Sequence, residues 1–256
     1  MKAAMPMNRE PPRPGTSGAG AADRPRTAHQ TAAPDAIALL GRTALFSGLD
    51  AATLGRIAAA AAMVRVARGR LLFSAGDPCA GFHLVIEGRI KLSLHGAQGA
   101  ERVVELPGPG QTFGEAAMFL RMPYRVSAEA LADSRLLHVA AAAVFTELEQ
   151  DPRLAQRIIA SLSMRLHRLV GEIESQSLLS GTQRVIGYLL SLADAPAAAE
   201  TAVRLPALKH VIASRLNLTH EHFSRILHGL AAADVIRLDG PDIRIPDIEA
   251  LRRHPG

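Results

Sequence analysis

Cysteine is nearly absent from this 256-residue chain, where Cys79 stands alone. A single thiol excludes an internal disulfide framework, a four-cysteine zinc site and an iron–sulfur cluster held by the cysteines of one chain. Long apolar runs are missing too. The longest, Ile57 to Val64 and Val139 to Phe145, fall far short of the ~20 residues that a bilayer-crossing helix needs. The N-terminus lacks the apolar segment of a signal peptide, so a cytoplasmic protein with no membrane contact is expected. No metal-ligand cluster, nucleophile motif or enzymatic phosphate loop is present, which points away from catalysis.

A large excess of one charge is lacking as well, because the formal net charge is only +5. Residues 1–34 carry five basic and two acidic side chains, whereas residues 183–256 carry nine basic and eight acidic ones. Bulk charge therefore gives no argument for DNA binding in the C-terminal part. The local distribution does: Lys209, Arg215 and Arg225 face only Glu221 across residues 205–230, and basic groups flanking one helix can contact phosphates.

What is present is a change of period along the chain. Residues 1–34 are rich in Pro, Gly, Ala and Thr without apolar periodicity, and a disordered tail is expected there. Between Asp35 and Val64 two short helices are predicted, the second opening at Asp50 and running through the Ala-rich stretch to Met63. From Val64 to Val139 the period becomes two. Phe82, Leu84, Ile86, Ile90, Leu92 and Leu94 are expected to line one strand face, and glycines at 69, 76, 88, 96, 99, 108 and 110 punctuate short β-runs. This pattern predicts a small antiparallel barrel or jelly roll.

After Asp133 the helical period returns with Val139, Phe145 and Leu148, and Asp151-Pro152 starts a long helix. Leu154, Ile158, Leu162, Leu166, Leu169 and Ile173 form a seam at spacings of four and three, flanked by charges. A homodimer paired through residues 152–179 is expected, over a helix roughly 40 Å long. The predicted organisation is 1–34 tail, 35–150 sensing domain, 151–181 dimer helix and 182–256 DNA-binding domain.

The last segment carries the most informative motif. Val185 to Leu192 reads as a helix, Ala195-Pro196-Ala197 as a loop and Leu205 to Leu216 as the first helix of a helix-turn-helix, with Asn217 in the turn. Thr219 is an N-cap for the second helix, whose Phe223, Ile226, Leu227 and Leu230 bury one face. Thr219, His220, Glu221, Ser224 and Arg225 are left to meet DNA. An arginine there bonds a guanine edge bidentately and a carboxylate accepts from a cytosine amino group. Lys209 and Arg215 are expected on phosphate. Ile236 to Ile245, folded about Asp239-Gly240, reads as a hairpin wing.

Three features in this order resemble the Crp/Fnr superfamily of bacterial transcription regulators. They are the barrel ending in Gly114-Glu115-Ala116-Ala117-Met118-Phe119, the helix after Asp151-Pro152, and the winged motif. The resemblance implies an α+β chain with a cyclic-nucleotide-binding-type β-roll, a dimerisation helix and a winged helix on double-stranded DNA, working with RNA polymerase. Glu221, Ser224 and Arg225 match the Fnr-class Glu-x-x-Ser-Arg pattern for TTGAT-type half-sites. The stretches Arg184 to Leu190 and Glu221 to His228 resemble Dnr-type, nitric-oxide-responsive regulators.

For the effector, the resemblance implies nitric oxide sensed through haem, with a cyclic nucleotide as the runner-up. In cyclic-nucleotide members Gly114 and Glu115 would open the short helix, Glu115 would take a ribose hydroxyl and Arg125 would hold the phosphate. This sequence departs at Val126, where a hydroxyl residue is usual, and at Leu169 and Val170, where a Thr/Ser pair reaches the purine. In haem-binding members a histidine would be the axial ligand, with His83, His138 and His167 as candidates. A chain without an effector, or a nucleotide-binding module acting on a protein partner, is the alternative.

Overall fold

The computed structural model describes residues 35–96, 99–193, 201–240 and 242–255. The expected tail at 1–34 and the loop at 195–197 lie outside the described residues. Two short helices come first, α1 (Asp35–Gly41) and α2 (Ala51–Ala59). Asp50 starts the second by accepting from the N–H groups of Ala52 at 3.1 Å and Thr53 at 2.9 Å. The helix predicted to reach Met63 stops at Ala59, and Ala61–Val66 forms strand β1 instead. Alanine favours the helix, but burying Ala61, Val64 and Val66 in the adjoining strands outweighs that preference.

The β-roll follows as β2 (Leu71–Phe73), β3 (Gly81–Glu87), β4 (Ile90–His95), β5 (Glu101–Glu105), β6 (Thr112–Phe113), helix α3 (Glu115–Leu120), β7 (Ser127–Ala130) and β8 (Ser134–Ala140). Its two antiparallel sheets have the orders β1-β8-β3-β6 and β2-β7-β4-β5. Phe82 and Leu84 pack toward the flanking helices, while Val85, Ile90 and Leu92 fill the roll interior. The predicted single face is therefore two cores, since β3 is buried on both sides. Leu94, at the far end, is exposed. Gly88 makes the turn between β3 and β4 at φ +87°, where a Cβ would also lie 2.7 Å from the Asp133 carbonyl oxygen.

Val139, expected in a helix, lies in β8, and helix α4 (Ala141–Gln150) begins two residues later. The long helix α5 (Pro152–Leu178) spans 27 residues as expected. Its seam divides. Leu154 and Ile158 are buried against the chain's own helices and roll, whereas Leu162, Leu166 and Leu169 are exposed.

A capping box between Ser180 and Gln183 opens α6 (Gly181–Leu192). Then come β9 (Thr201–Arg204), α7 (Lys209–Arg215), α8 (His220–Ala232), β10 (Arg237–Asp239), β11 (Asp242–Ile245) and α9 (Ile248–Arg253). The first motif helix starts at Lys209 rather than Leu205, because Pro206 intervenes and Leu208 is an extended N-cap. The predicted hairpin is present, and β9 adds a third strand in the order β10-β11-β9.

Inside the roll, His83 stands opposite His138 across β3 and β8, with ring centroids 4.7 Å apart. The Nδ1 atoms of both rings are buried without a hydrogen-bond partner. Burial, reinforced by His138, pulls the His83 pKa down to about 3, and burial also lowers that of His138. Both folded-state pKa values lie below the unfolded ones, so the native state binds fewer protons than the unfolded chain in mildly acidic solution. Stability is complete above the unfolded value of 6.5 and falls as pH drops below it. Chemical denaturation between pH 7 and pH 5 should show a loss approaching about 1.4 kcal/mol per pH unit for His83. His83→Phe should flatten this slope, and an equally steep slope in that variant would contradict the assignment.

Candidate DNA-reading and effector-coupling sites

Helix α8 is held by three local devices. Asn217 adopts the left-handed backbone of the turn at φ 56°, Thr219 Oγ1 accepts from the His222 N–H at 3.2 Å, and Phe223, Ile226, Leu227 and Leu230 are buried against α6 and α7. This anchoring leaves Thr219, His220, Glu221 and Arg225 exposed and Ser224 half-buried. Glu221 and Arg225 are one turn apart. Its own backbone N–H and the Thr219 hydroxyl hold the Glu221 carboxyl below the usual range, and His220 and Arg225 add to the effect. The edge of α8 thus presents an ionised acceptor beside a guanidinium donor, the pair of groups needed to discriminate cytosine and guanine edges.

The two flanking cations behave differently. Lys209, the first residue of α7, is half-buried at the mouth of a cleft beside the roll. Arg215, expected on phosphate, instead donates to the Val104 carbonyl of β5. Its neighbours make the same connection: the Val103 N–H donates to Ser214 Oγ at 3.0 Å, and Arg102 Nη1 donates to Asn217 Oδ1 at 2.9 Å. Residues 102–104 and 214–217 therefore form a dock between the roll and the DNA motif. Only the exposed-looking polar side chains of these segments are visible in the sequence, so nothing there signals that they meet.

In the roll, Gly114 is the N-cap of α3 at φ +95°, with the Phe82 Cα 3.5 Å from where its Cβ would lie. Glu115 is buried, and its Oε2 lies 3.3 Å from Arg165 Nη1 on α5. The same guanidinium pairs with the Glu105 carboxylate at the end of β5. Burial pushes the Glu115 carboxyl up, while a bond from Thr112 and the Arg165 charge pull it down. A groove of about 600 Å3 opens here, with Glu105, Thr112, Glu115, Ser161 and Arg165 in its walls. Arg125 is exposed at the bend before β7 and does not line this groove. The structure thus brings Arg165 to Glu115, a partner the sequence did not indicate. Among the candidate haem ligands, His83 and His138 are packed in the roll interior and His167 is exposed on α5.

Sequence comparison identifies a cyclic nucleotide-binding domain at residues 63–151 and a Crp-like helix-turn-helix domain at 183–254. A cyclic AMP receptor protein of Thermus thermophilus is 30% identical over 184 residues, 72% of this chain and 83% of the relative. The chain belongs to the Crp/Fnr family. A cAMP-activated global regulator of Mycobacterium tuberculosis is 25% identical over 84% of this chain and 97% of its own. FixK2 of Bradyrhizobium japonicum shares the fold at 20% identity with a TM-score of 0.67, covering 75% of this chain and 96% of that one. This Crp/Fnr protein is accordingly a DNA-binding transcription regulator and not an enzyme. Among the described residues, no helix is long and apolar enough to cross a membrane, and no group of three or more His, Cys, Asp or Glu could hold a metal.

Arg165→Ala would leave Glu115 buried without its cation. The variant should lose about 2 kcal/mol in urea denaturation, with Glu115→Gln recovering part of the loss in the double variant. A wild-type midpoint for Arg165→Ala would contradict the clamp.

Proposed function

We propose that this Crp/Fnr regulator is a homodimer that reads TTGAT-like half-sites and is switched at the junction of the roll with α5. The reading is carried by Glu221 and Arg225, which share the exposed edge of a helix whose other face is fixed in the core. Arg225 bonds guanine, Glu221 accepts from a base amino group, and Ser224 assists. Thr219, His220 and Lys209 position the helix on the backbone. Two such helices about 34 Å apart enter successive major grooves. In support of the dimer, Leu162, Leu166 and Leu169 are exposed on α5 beyond the turns that pack on the chain's own roll. The functional units are the roll with its helices (35–150), the dimer helix (151–181) and the DNA domain (182–256). RNA polymerase is the further partner, as in the family. The stretches Arg184 to Leu190 and Glu221 to His228 set the chain beside the Dnr-type regulators.

The effector acts where Arg165 holds Glu105 and Glu115. A ligand that draws the guanidinium away frees β5, and β5 carries the dock to Ser214, Arg215 and Asn217. A coupling of 1–3 kcal/mol, about 5- to 150-fold in DNA affinity, is the usual scale of such a switch. Haem sensing of nitric oxide needs a histidine opening on a plate-sized slot. His83 and His138 lie ring against ring beside Phe73 and Phe113, and His167 lines neither groove. These residues do not fit haem. The cyclic-nucleotide cassette is likewise divided, with Glu115 on Arg165 and Arg125 apart from the groove.

Anisotropy on a TTGAT-containing palindromic duplex should show Arg225→Ala weakening specific binding by about 1–3 kcal/mol, with binding to a scrambled duplex little changed. Full specific affinity in that variant would overturn the reading. Leu162→Glu with Leu166→Glu should yield a monomer by analytical ultracentrifugation, and a persistent dimer would remove the seam.

A further inference from the structure

The turn between α7 and α8 is gripped by two arginines from outside the motif. Arg184, one turn into α6, donates through Nη1 to the Leu216 carbonyl at 2.8 Å and to the Asn217 carbonyl at 3.4 Å. Leu216 is the C-cap of α7, where carbonyls run out of intrahelical partners. From the roll, Arg102 holds the Asn217 side chain at 2.9 Å. Only Leu218 and the cap Thr219 separate this turn from α8. The backbone at residues 216–217 therefore sets the direction in which α8 leaves.

Two features distinguish Arg184 from an incidental contact. Its Nε is buried with no hydrogen-bond partner among the described residues, although a buried N–H is normally satisfied by protein or water. A side chain that leaves one donor unpaired is held in place by what its other end does. The first turn of α6 also reaches α8 at a second point. A Cβ added at Gly181 would lie 3.2 Å from His222 Cε1, Ile226 Cδ1 and Leu218 Cδ2, closer than ordinary packing. The start of α6 is thus fitted to the turn and to α8 without slack. Burial of Phe223, Ile226, Leu227 and Leu230 holds α8 on the core, but apolar burial is non-directional. A bidentate bond from Arg225 to guanine needs the helix held to about 10–20°. The directional bonds of Arg184 supply that restraint.

We propose that Arg184 is a positioning residue for base reading: through the Leu216 and Asn217 carbonyls it aims α8 so that Arg225 meets a guanine edge. The proposal rests on the reading of α8 given above and adds the residue that makes that reading selective.

The test is anisotropy of the full chain on TTGAT-containing and scrambled duplexes, for Arg184→Met, Arg225→Ala and the double variant, with folding checked by circular dichroism. Arg184→Met keeps the apolar stem and loses the donors. It should weaken binding to the TTGAT duplex about tenfold and to the scrambled duplex less than about twofold. In the Arg225→Ala background the same change should cost less than about twofold on either duplex. Arg184→Lys, which keeps the charge and a donor for Leu216, should recover all but about threefold of the specific affinity. In the free protein, the His222 Cε1–H resonance should shift in Arg184→Met. Equal losses on both duplexes, an undiminished loss beside Arg225→Ala, or an unmoved His222 resonance would each overturn the proposal. If Arg184→Met does not fold, Arg184→Lys decides: its threefold loss must be confined to the TTGAT duplex, and no loss or an equal loss on both would overturn the proposal. Wild-type behaviour of Arg184→Met beside a weakened Arg225→Ala removes the role of Arg184 alone. Full specific affinity in Arg225→Ala removes the reading of α8 and this proposal with it.

Discussion

One guanidinium ties the parts of this molecule together. Arg165 projects from α5 to the Glu105 carboxylate on β5 and to Glu115 at the start of α3. Glu115 is buried, and a carboxylate in that position remains ionised only if a cation and hydrogen bonds replace its water. The contact therefore joins a long helix, a strand and a short helix that otherwise have different neighbours. It is also asymmetric in cost: keeping the pair contributes modestly, whereas removing one partner exposes the desolvation penalty of the other. An interaction of this kind suits a switch, because a ligand competing for the guanidinium changes the balance sharply.

Strand β5 carries the consequence to the DNA domain. Val103 and Leu106 are buried in the same apolar cluster as Val211, Ile212, Phe223 and Leu227, so part of the DNA domain's core is supplied by the roll. Burying such side chains stabilises by about 1.5–3 kcal/mol each, against roughly 1 kcal/mol for each hydrogen bond between residues 102–104 and 214–217. Apolar burial thus holds the dock closed, while the hydrogen bonds set its register. Arg215 takes part in this register by donating to the Val104 carbonyl.

Much of this was legible in the sequence where the signal was local. The Asp50 and Thr219 caps, the left-handed Asn217, the proline at the start of α5 and the hairpin at Asp239-Gly240 depend on neighbours within a few residues, and each is where its chemistry requires. Errors arose where distant pairing decides. Ala61–Met63 and Val139 look helical by composition, yet β1 and β8 pair with each other and become strands. The seam on α5 is visible as a period, but the sequence does not say that Leu154 and Ile158 are used within the chain while Leu162, Leu166 and Leu169 are left exposed. Of the candidate sites, the α8 edge was readable because its residues follow one another. The Arg165–Glu105–Glu115 clamp was not, since its members are separated by 50 and 60 positions and only the fold unites them.

The roll–helix clamp and the roll–DNA-domain dock share strand β5 and should therefore act as one coupled unit. Duplex affinity measured for Arg165→Ala, Ser214→Ala and the double variant tests this, because the two side chains touch the same strand, at Glu105 and Val103 of β5. Both single changes should alter affinity, and their effects should fail to add, with an interaction energy above about 0.5 kcal/mol. Strict additivity, with Arg165→Ala binding DNA as the wild type does, would contradict it.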